Sequence, residues 1–287
     1  MTGPALRVAV LGLAAAAVLP ASRARAQVRL GLDATFATRY VWRGVSRTRE
    51  PVVQLQTYGA LSRGRGWWTA GGWANLEPWR PDLGDPSVAG VRGPRFGEWN
   101  VWLQRDFVGG GLALSVGAAV YGFRGDAASG GLSDSLTTGE LYLRASDFAG
   151  IRVVSPTIFL AYDPWRVDGA YLELELHRRI PLLPVTPFRM LEGGLAVGFN
   201  LGQRRTATDP EGYFASNGFT HLDLSLGTAP RLRLGPVPLT IAVVGHWQFA
   251  LDDATRRPVS SGGAPRSTWW LATTLSLASA RDEQETE

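Results

Sequence analysis

Three sets of residues have types and spacings that could do chemistry. Glu173, Glu175 and His177 stand at i, i+2 and i+4 in "YLELELH" and share one side of an extended chain, where two carboxylates and an imidazole could ligate a metal. His221, Asp223 and Ser225 in "THLDLSL" repeat that spacing with the residue types of a hydrolytic triad. Tyr40, Trp42, Arg43 and Gly44 in "TRYVWRG" crowd two aromatics, a cation and a glycine together, which suits a binding signature, a catalytic loop or the end of a strand. Spacing weighs against the first two sets. No fourth ligand accompanies the carboxylate pair, and residues two apart on a strand lie about 6.5–7 Å apart, too far for short side chains to pass a proton. The glycine-rich "EGGLAVGFNLG" sits in an alternating segment with no helix after it, so it is no phosphate loop. No cofactor, metal or catalytic residue is expected, and the chain reads as a non-enzyme.

All three sets lie on strands. From 29 to 44, Leu30, Leu32, Ala34, Phe36, Thr38, Tyr40 and Trp42 share one parity, and Gly31, Asp33, Thr35, Ala37, Arg39, Val41 and Arg43 share the other. Successive strand side chains point to opposite faces, so one face is apolar and the other mostly polar. The pattern recurs over 51–62, 67–77, 96–108, 112–124, 138–147, 152–162, 169–180, 189–201, 218–228, 238–250 and 267–278, which makes about twelve strands. It weakens at 152–162, where Pro156 cannot donate to a ladder and predicts a bulge. The segments are long enough to cross a bilayer core, which takes about 9–11 tilted residues.

The connections alternate too. "SRGRG", "GGG", "DFAG" and "PLLPVTP" are short, with "TAPRLRLGPVP" somewhat longer. "EPWRPDLGDPSVAGVRGP", "GDAASGGLSDSLTTG", "GQRRTATDPEGYFASNG" and "DDATRRPVSSGGAPR" are long and polar. Short turns on one side and long loops on the other are the mark of a bacterial outer-membrane barrel. Aromatics gather at segment ends, with Tyr40, Trp42, Trp99, Trp247, Phe249 and Trp269 at outer ends and Trp68, Phe107 and Phe148 at inner ends. These form two expected girdles at the membrane interfaces. A soluble sandwich would also alternate, but its Trp would sit mid-strand in a core.

Residues 1–26 read as a cleaved signal peptide, with Arg7, the apolar "VAVLGLAAAAVLP" and a small-x-small site ending at Ala26. Residues 27–279 form the barrel and 280–287 a charged periplasmic tail, so both termini are expected in the periplasm and the chain in the cell outer membrane. The charged tail replaces the aromatic residue on which many such barrels end. The chain has no Cys, which excludes disulfides and thiolate metal sites. All 29 basic residues are Arg; without Arg7, Arg23 and Arg25, 26 Arg face 25 acids, a net charge of +1. That balance argues against a nucleic-acid partner. After residue 26 no apolar run reaches the length of a membrane helix.

"TFATRYVWRGVSRTREPVVQLQTYGAL" resembles the start of the TorF family of proteobacterial porins, with its strand ending in an aromatic-x-Arg-Gly step and a Gln-bearing second strand. "GWWTAGGWANLE", "GEWNVWLQRDFVGGGLALSVGAAVYGF", "GELYLRASDF" and "DGAYLELELHRRIPL" are similar to later segments of that family. The resemblance spans most of residues 30–250 and is sharpest in the first hundred. It implies an outer-membrane β-barrel porin.

The polar parity should line the lumen: Asp33, Glu98, Asp106, Glu140, Glu173, Glu175, Glu192 and Asp223 as acids, and Arg39, Arg43 and Arg144 as bases. Gln54, Gln56, Asn75, Asn100, Gln104, His177, His221, His246 and Gln248 add uncharged polar lining. Two outcomes follow from that lining. Opposed charges can border a water-filled, mildly cation-selective path for small hydrophilic solutes or ions. They can equally pair and plug the interior, leaving a structural or partner-binding barrel. An outer-membrane lipid hydrolase is the least favoured alternative, because it needs catalytic groups on the lipid face and all three His lie on the inward parity. Expected partners are outer-membrane lipid and lipopolysaccharide, whose phosphates Arg204, Arg205, Arg256 and Arg257 could bridge. Arg39 and Arg43 read as an electrostatic gate at the mouth. Replacing both with Gln should move the reversal potential of the reconstituted protein toward cation selectivity, and an unmoved potential reduces the motif to a strand end.

Overall fold

The computed structural model describes residues 27–48, 50–62, 66–78, 95–123, 136–147, 154–182, 190–203, 214, 216–234, 237–252 and 267–278. Fifteen strands run in chain order: β1 (Val28–Ala37), β2 (Tyr40–Trp42), β3 (Val45–Thr48), β4 (Val52–Ser62), β5 (Gly66–Glu77), β6 (Arg95–Gly109), β7 (Leu112–Phe123), β8 (Leu136–Ser146), β9 (Ser155–Asp163), β10 (Gly169–Pro181), β11 (Met190–Leu201), β12 (Gly218–Thr228), β13 (Arg231–Leu234), β14 (Val237–Ala250) and β15 (Ser267–Ala278). All but β2 and β3 join one antiparallel sheet. It closes because β15 pairs with β1 and β12 pairs with β14. β13 continues β12 past Pro230 in the same register against β14, so the wall counts twelve strands. Closure removes the unpaired edges that an open sheet would expose.

Alternation decides which face is which. On β1 the even residues Leu30, Leu32 and Phe36 are exposed, whereas Asp33 and Thr35 pair across the lumen face with Gln56 and Thr274. The same parity runs round the barrel, with Leu141 and Leu143 of β8, Leu224 and Leu226 of β12 and Leu271, Leu275 and Leu277 of β15 exposed outside. The β1 N-terminus and the tight turns share one end, here the turn end. The opposite end, the loop end, carries the long connections. Two consecutive residues with positive φ make the turn-end β6–β7 hairpin, Gly110 (φ 63°) and Gly111 (φ 78°), the geometry of a two-residue hairpin whose twist matches its strands.

Two expectations are corrected. The predicted strand 29–44 stops at Ala37; the chain then folds into the lumen as the separate β2–β3 hairpin. Pro156 marks no bulge, because it lies at the start of β9, where pairing with β10 runs past it to Ser155 without a shift and pairing with β8 ends at Thr157. The bulges of the wall lie between Asn75 and Leu76, and between Gly198 and Phe199. The signal segment, the tail, the long connection after β5, Phe148, Arg204, Arg205, Arg256 and Arg257 lie outside the described residues.

Large rings fill the lumen where glycines make room. Gly31 faces Tyr58, Gly71 faces Trp102 and Gly117 faces Tyr142. A Cβ on Gly117 would stand 2.6 Å from the Tyr142 ring and 2.7 Å from the Leu103 carbonyl oxygen. Gly117→Val should therefore destabilise the barrel by about 1–3 kcal/mol. Gly193→Ala, on the outer face with nothing within 4 Å, should stay within about 0.5 kcal/mol. Urea unfolding of the refolded variants, followed by Trp fluorescence, measures both.

Candidate functional site: an inward hairpin at the loop end

The β2–β3 hairpin turns on Arg43 (φ 47°) and Gly44 (φ 82°), a two-residue turn that demands positive φ at both positions. Gly accepts this freely. An Arg there carries a local backbone cost of about 1–3 kcal/mol, which the surroundings must offset. They do so from several strands of the wall. The Arg43 guanidinium donates from both terminal nitrogens to the two oxygens of Glu140 on β8, each at 2.6 Å. Its side chain is 7% exposed and that of Glu140 1%. The guanidinium also lies over the rings of Trp42 (4.6 Å), Tyr171 on β10 (4.6 Å) and Phe159 on β9 (5.6 Å). A planar cation paired at its edge and covered on its faces uses every feature that separates Arg from Lys. Burial works against the Arg43 charge, but the Glu140 carboxylate outweighs it and raises the guanidinium above its ordinary pKa.

Other contacts hold the rest of the hairpin. Tyr40 donates to Glu98 on β6 at 2.8 Å and packs against Trp73 at 5.6 Å between ring centres. Burial, and then the Glu98 carboxylate, hold the Tyr40 phenol well above its ordinary pKa, so it remains a donor. Gln248 on β14 donates to the Gly44 carbonyl at 2.6 Å. Val45 packs with Tyr171 and Phe214, and the latter two rings stack within 5° of parallel. Tyr40 and Trp42 therefore do not belong to the lipid girdle: one is buried and the other covers Arg43, because the chain turns inward at Thr38.

The expected lumen residues separate by depth. Near the loop end, Asn75, Glu98, Glu140, Asn200, His221 and Gln248 are buried around the hairpin. Gln54 donates to Asn75 at 3.3 Å, and Asn100 on β6 keeps its Oδ1 buried with no donor. Arg39 is half-buried and reaches Thr268 at 3.4 Å. Closer to the turn end, Asp106 accepts from Thr69, Gln104 and Ser115, all at 2.6 Å, and Tyr142 donates to Gln104 at 2.8 Å. Toward the turn end a cavity of about 510 Å³ is lined by Arg144, Glu175, His177, Arg179 and Glu192 among others. There Arg144 pairs with Glu175, Arg179 with Glu192, and His177 lies between both carboxylates at 2.9 and 3.7 Å.

The two catalytic-looking sets come apart. Glu173 accepts from Tyr171 at 2.5 Å and lies 3.6 Å from His221, and on its other side it meets Glu175, which contacts His177 at 2.9 Å; the three follow one another along the lumen rather than enclosing one point. No group able to hold a metal occurs among the described residues. Asp223 partners His246 at 3.0 Å rather than His221, and the His246 ring stacks on Trp270 at 4.6 Å. Ser225 lies over Gly194. Of the girdle residues, Trp68, Trp99, Phe107, Trp247 and Trp269 are exposed on the outer wall, and Phe249 is half-buried against Trp247. Sequence reasoning missed Trp73, Tyr171 and Phe159 as partners of the hairpin. The available signal was the two-residue Arg-Gly step between "YVW" and "VS", a hairpin turn pattern.

No family model matches the chain, and no curated protein matches it. Among solved structures it is similar to a KdgM porin in complex with disordered oligogalacturonate, at 6% identity over 88% of this chain and 98% of that one, with a TM-score of 0.41. It is also similar to LpxR from Salmonella typhimurium, at 8% identity over 86% and 99% with a TM-score of 0.46. It is similar as well to Salmonella typhi OmpF in complex with daunomycin, at 8% identity over 88% of this chain and 97% of that one, with a TM-score of 0.34. Likenesses this distant carry no activity to this chain.

Glu140→Gln should leave a buried guanidinium without its counter-charge and destabilise the barrel by about 3–5 kcal/mol. The double variant Arg43→Met with Glu140→Gln should recover most of that loss, because no uncompensated charge remains. A double-mutant cycle from urea unfolding midpoints checks both, and equal losses in the single and double variants would contradict the pairing.

Proposed function

We propose that this chain is an outer-membrane porin-like barrel for small hydrophilic solutes or ions, with its constriction formed by the β2–β3 hairpin. The observation that carries this reading is the division of faces on a closed wall: apolar side chains exposed outside all round, polar and charged ones inside. An exposed apolar belt of this kind is stable in lipid, where a closed sheet satisfies every backbone group. The exposed Trp99, Trp247 and Trp269 toward the loop end and Trp68 and Phe107 toward the turn end suit the two interfaces. The resemblance of residues 35–61 to TorF porins supports the same reading, with the loop end outside the cell.

Within the lumen, the turn-end cavity is wet and charged and the loop end is constricted by Arg43 and its partners. Glu98, Glu140 and Glu173 stand around that point against Arg43 and Arg47 of the hairpin, a balance of three carboxylates to two guanidiniums that favours cations over anions. A closed structural barrel is the second reading. It is favoured by the ring of buried side chains from β5, β6, β8, β11, β12 and β14 around the hairpin.

Ala37 and Val52 are cross-strand partners and Thr38 bonds Leu271 of the wall, so residues 39–51 can be replaced by a short Gly-Ser turn that leaves the wall pairing in place. In planar bilayers the unaltered protein should give a small, cation-favouring conductance and the shortened protein a several-fold larger one. Silence from both, with correctly folded and inserted protein, would reject the channel in favour of the closed barrel.

A further inference from the structure

We infer that Arg43 is a tethered stand-in for a solute: the cage that holds its guanidinium is the barrel's own binding site for a guanidinium-bearing solute, opened when the β2–β3 hairpin withdraws. The role of that solute as cargo rests on the porin-like reading; the cage itself does not. Its parts belong to the wall, not to the hairpin. Glu140, Phe159 and Tyr171 come from the neighbouring strands β8, β9 and β10. Tyr171 is held from behind by the stacked ring of Phe214. The cage therefore keeps its shape through strand pairing when the hairpin leaves.

The geometry selects the chemical class. Glu140 offers both oxygens at equal 2.6 Å distances to two nitrogens, the fork that a planar guanidinium fits and a single ammonium does not. Two wall rings cover the cation, which rewards a flat, weakly hydrated group. Further capacity for positive charge appears when the hairpin leaves, since Glu98 is 3% exposed, its Oε1 accepts no hydrogen bond, and the strongest cation acting on it is the hairpin's own Arg47. With the hairpin withdrawn, Arg43 and Arg47 leave together, Glu98, Glu140 and Glu173 would share the chamber, and a cation from solution would relieve their repulsion. The hairpin itself is the removable part: its turn places a non-glycine residue at positive φ, and its ends meet at paired wall residues.

Chemical rescue tests this on detergent-solubilised protein. Arg43→Gly suits the positive-φ turn and empties the cage. Its thermal midpoint should fall, and millimolar methylguanidinium should raise it by several degrees, whereas methylammonium and sodium at the same ionic strength should not. Adding Glu140→Gln should abolish the response. Should Arg43→Gly fail to refold unaided, the refolding yield with and without methylguanidinium becomes the readout, and selective recovery supports the assignment. No selective effect on either midpoint or yield overturns it, leaving the pair as a structural staple. Because no flux is measured, a barrel that never conducts can still pass this test, and a failed rescue leaves the channel reading standing.

Discussion

A guanidinium that is almost wholly out of water needs a carboxylate within contact, and that need organises the loop end of this barrel. Arg43 can reach Glu140 only if the chain leaves the wall after Ala37 and turns inward. Once it does, the polar side chains at that level lose their water and must find partners in each other. Tyr40 donates to Glu98, Gln248 to the Gly44 carbonyl, and Thr138 to Asp163 at 2.6 Å. The connection between β11 and β12 joins the same order: Asn200 donates to the Ser216 carbonyl and accepts from the Gln203 amide. Ion pairs of this kind add little net stability, since desolvation offsets attraction. They define position instead, because a displaced partner leaves an expensive buried charge.

The lumen thus has two electrostatic regimes. At the loop end the low dielectric makes each charge strong and each partner obligatory. At the turn end Arg179 is 74% exposed and Glu192 44%, and water screens the pair. A solute entering from the turn end would meet exchangeable charges first and committed ones later. In the proposed channel, selectivity would accordingly belong to the hairpin level, while the exposed pairs would chiefly keep the entrance hydrated.

The wall was largely legible in the sequence and its filling was not. Period-two alternation located the twelve wall segments because one face of each meets an apolar surround and the other a polar one. Alternation could also place Glu140, Glu173 and Asp223 inside, since parity depends on the strand alone. It could not say which of them would meet. That depends on register across the sheet, and the register puts His246 rather than His221 beside Asp223. Nor could parity follow the chain where it left the wall. Tyr40 and Trp42 keep the parity of Leu30 and Phe36, but after Thr38 parity is measured against a different sheet. The excess length of the predicted first strand, sixteen residues against the about 9–11 that a bilayer needs, was the trace of that departure.

The withdrawal proposed for the hairpin has a physical basis. Its turn conformation costs free energy at Arg43, and its polar contacts are made with groups that water could also satisfy. Its net hold on the lumen is therefore much smaller than the sum of its contacts. The wall behaves differently, because its backbone bonds have no substitute in lipid. In the proposed opening the constriction would yield while the barrel stays intact, and the energy required need only match the difference between Glu140 paired with Arg43 and Glu140 paired with something else. That difference is small only for a partner that reproduces the charge, the fork and the flat faces of the group it replaces.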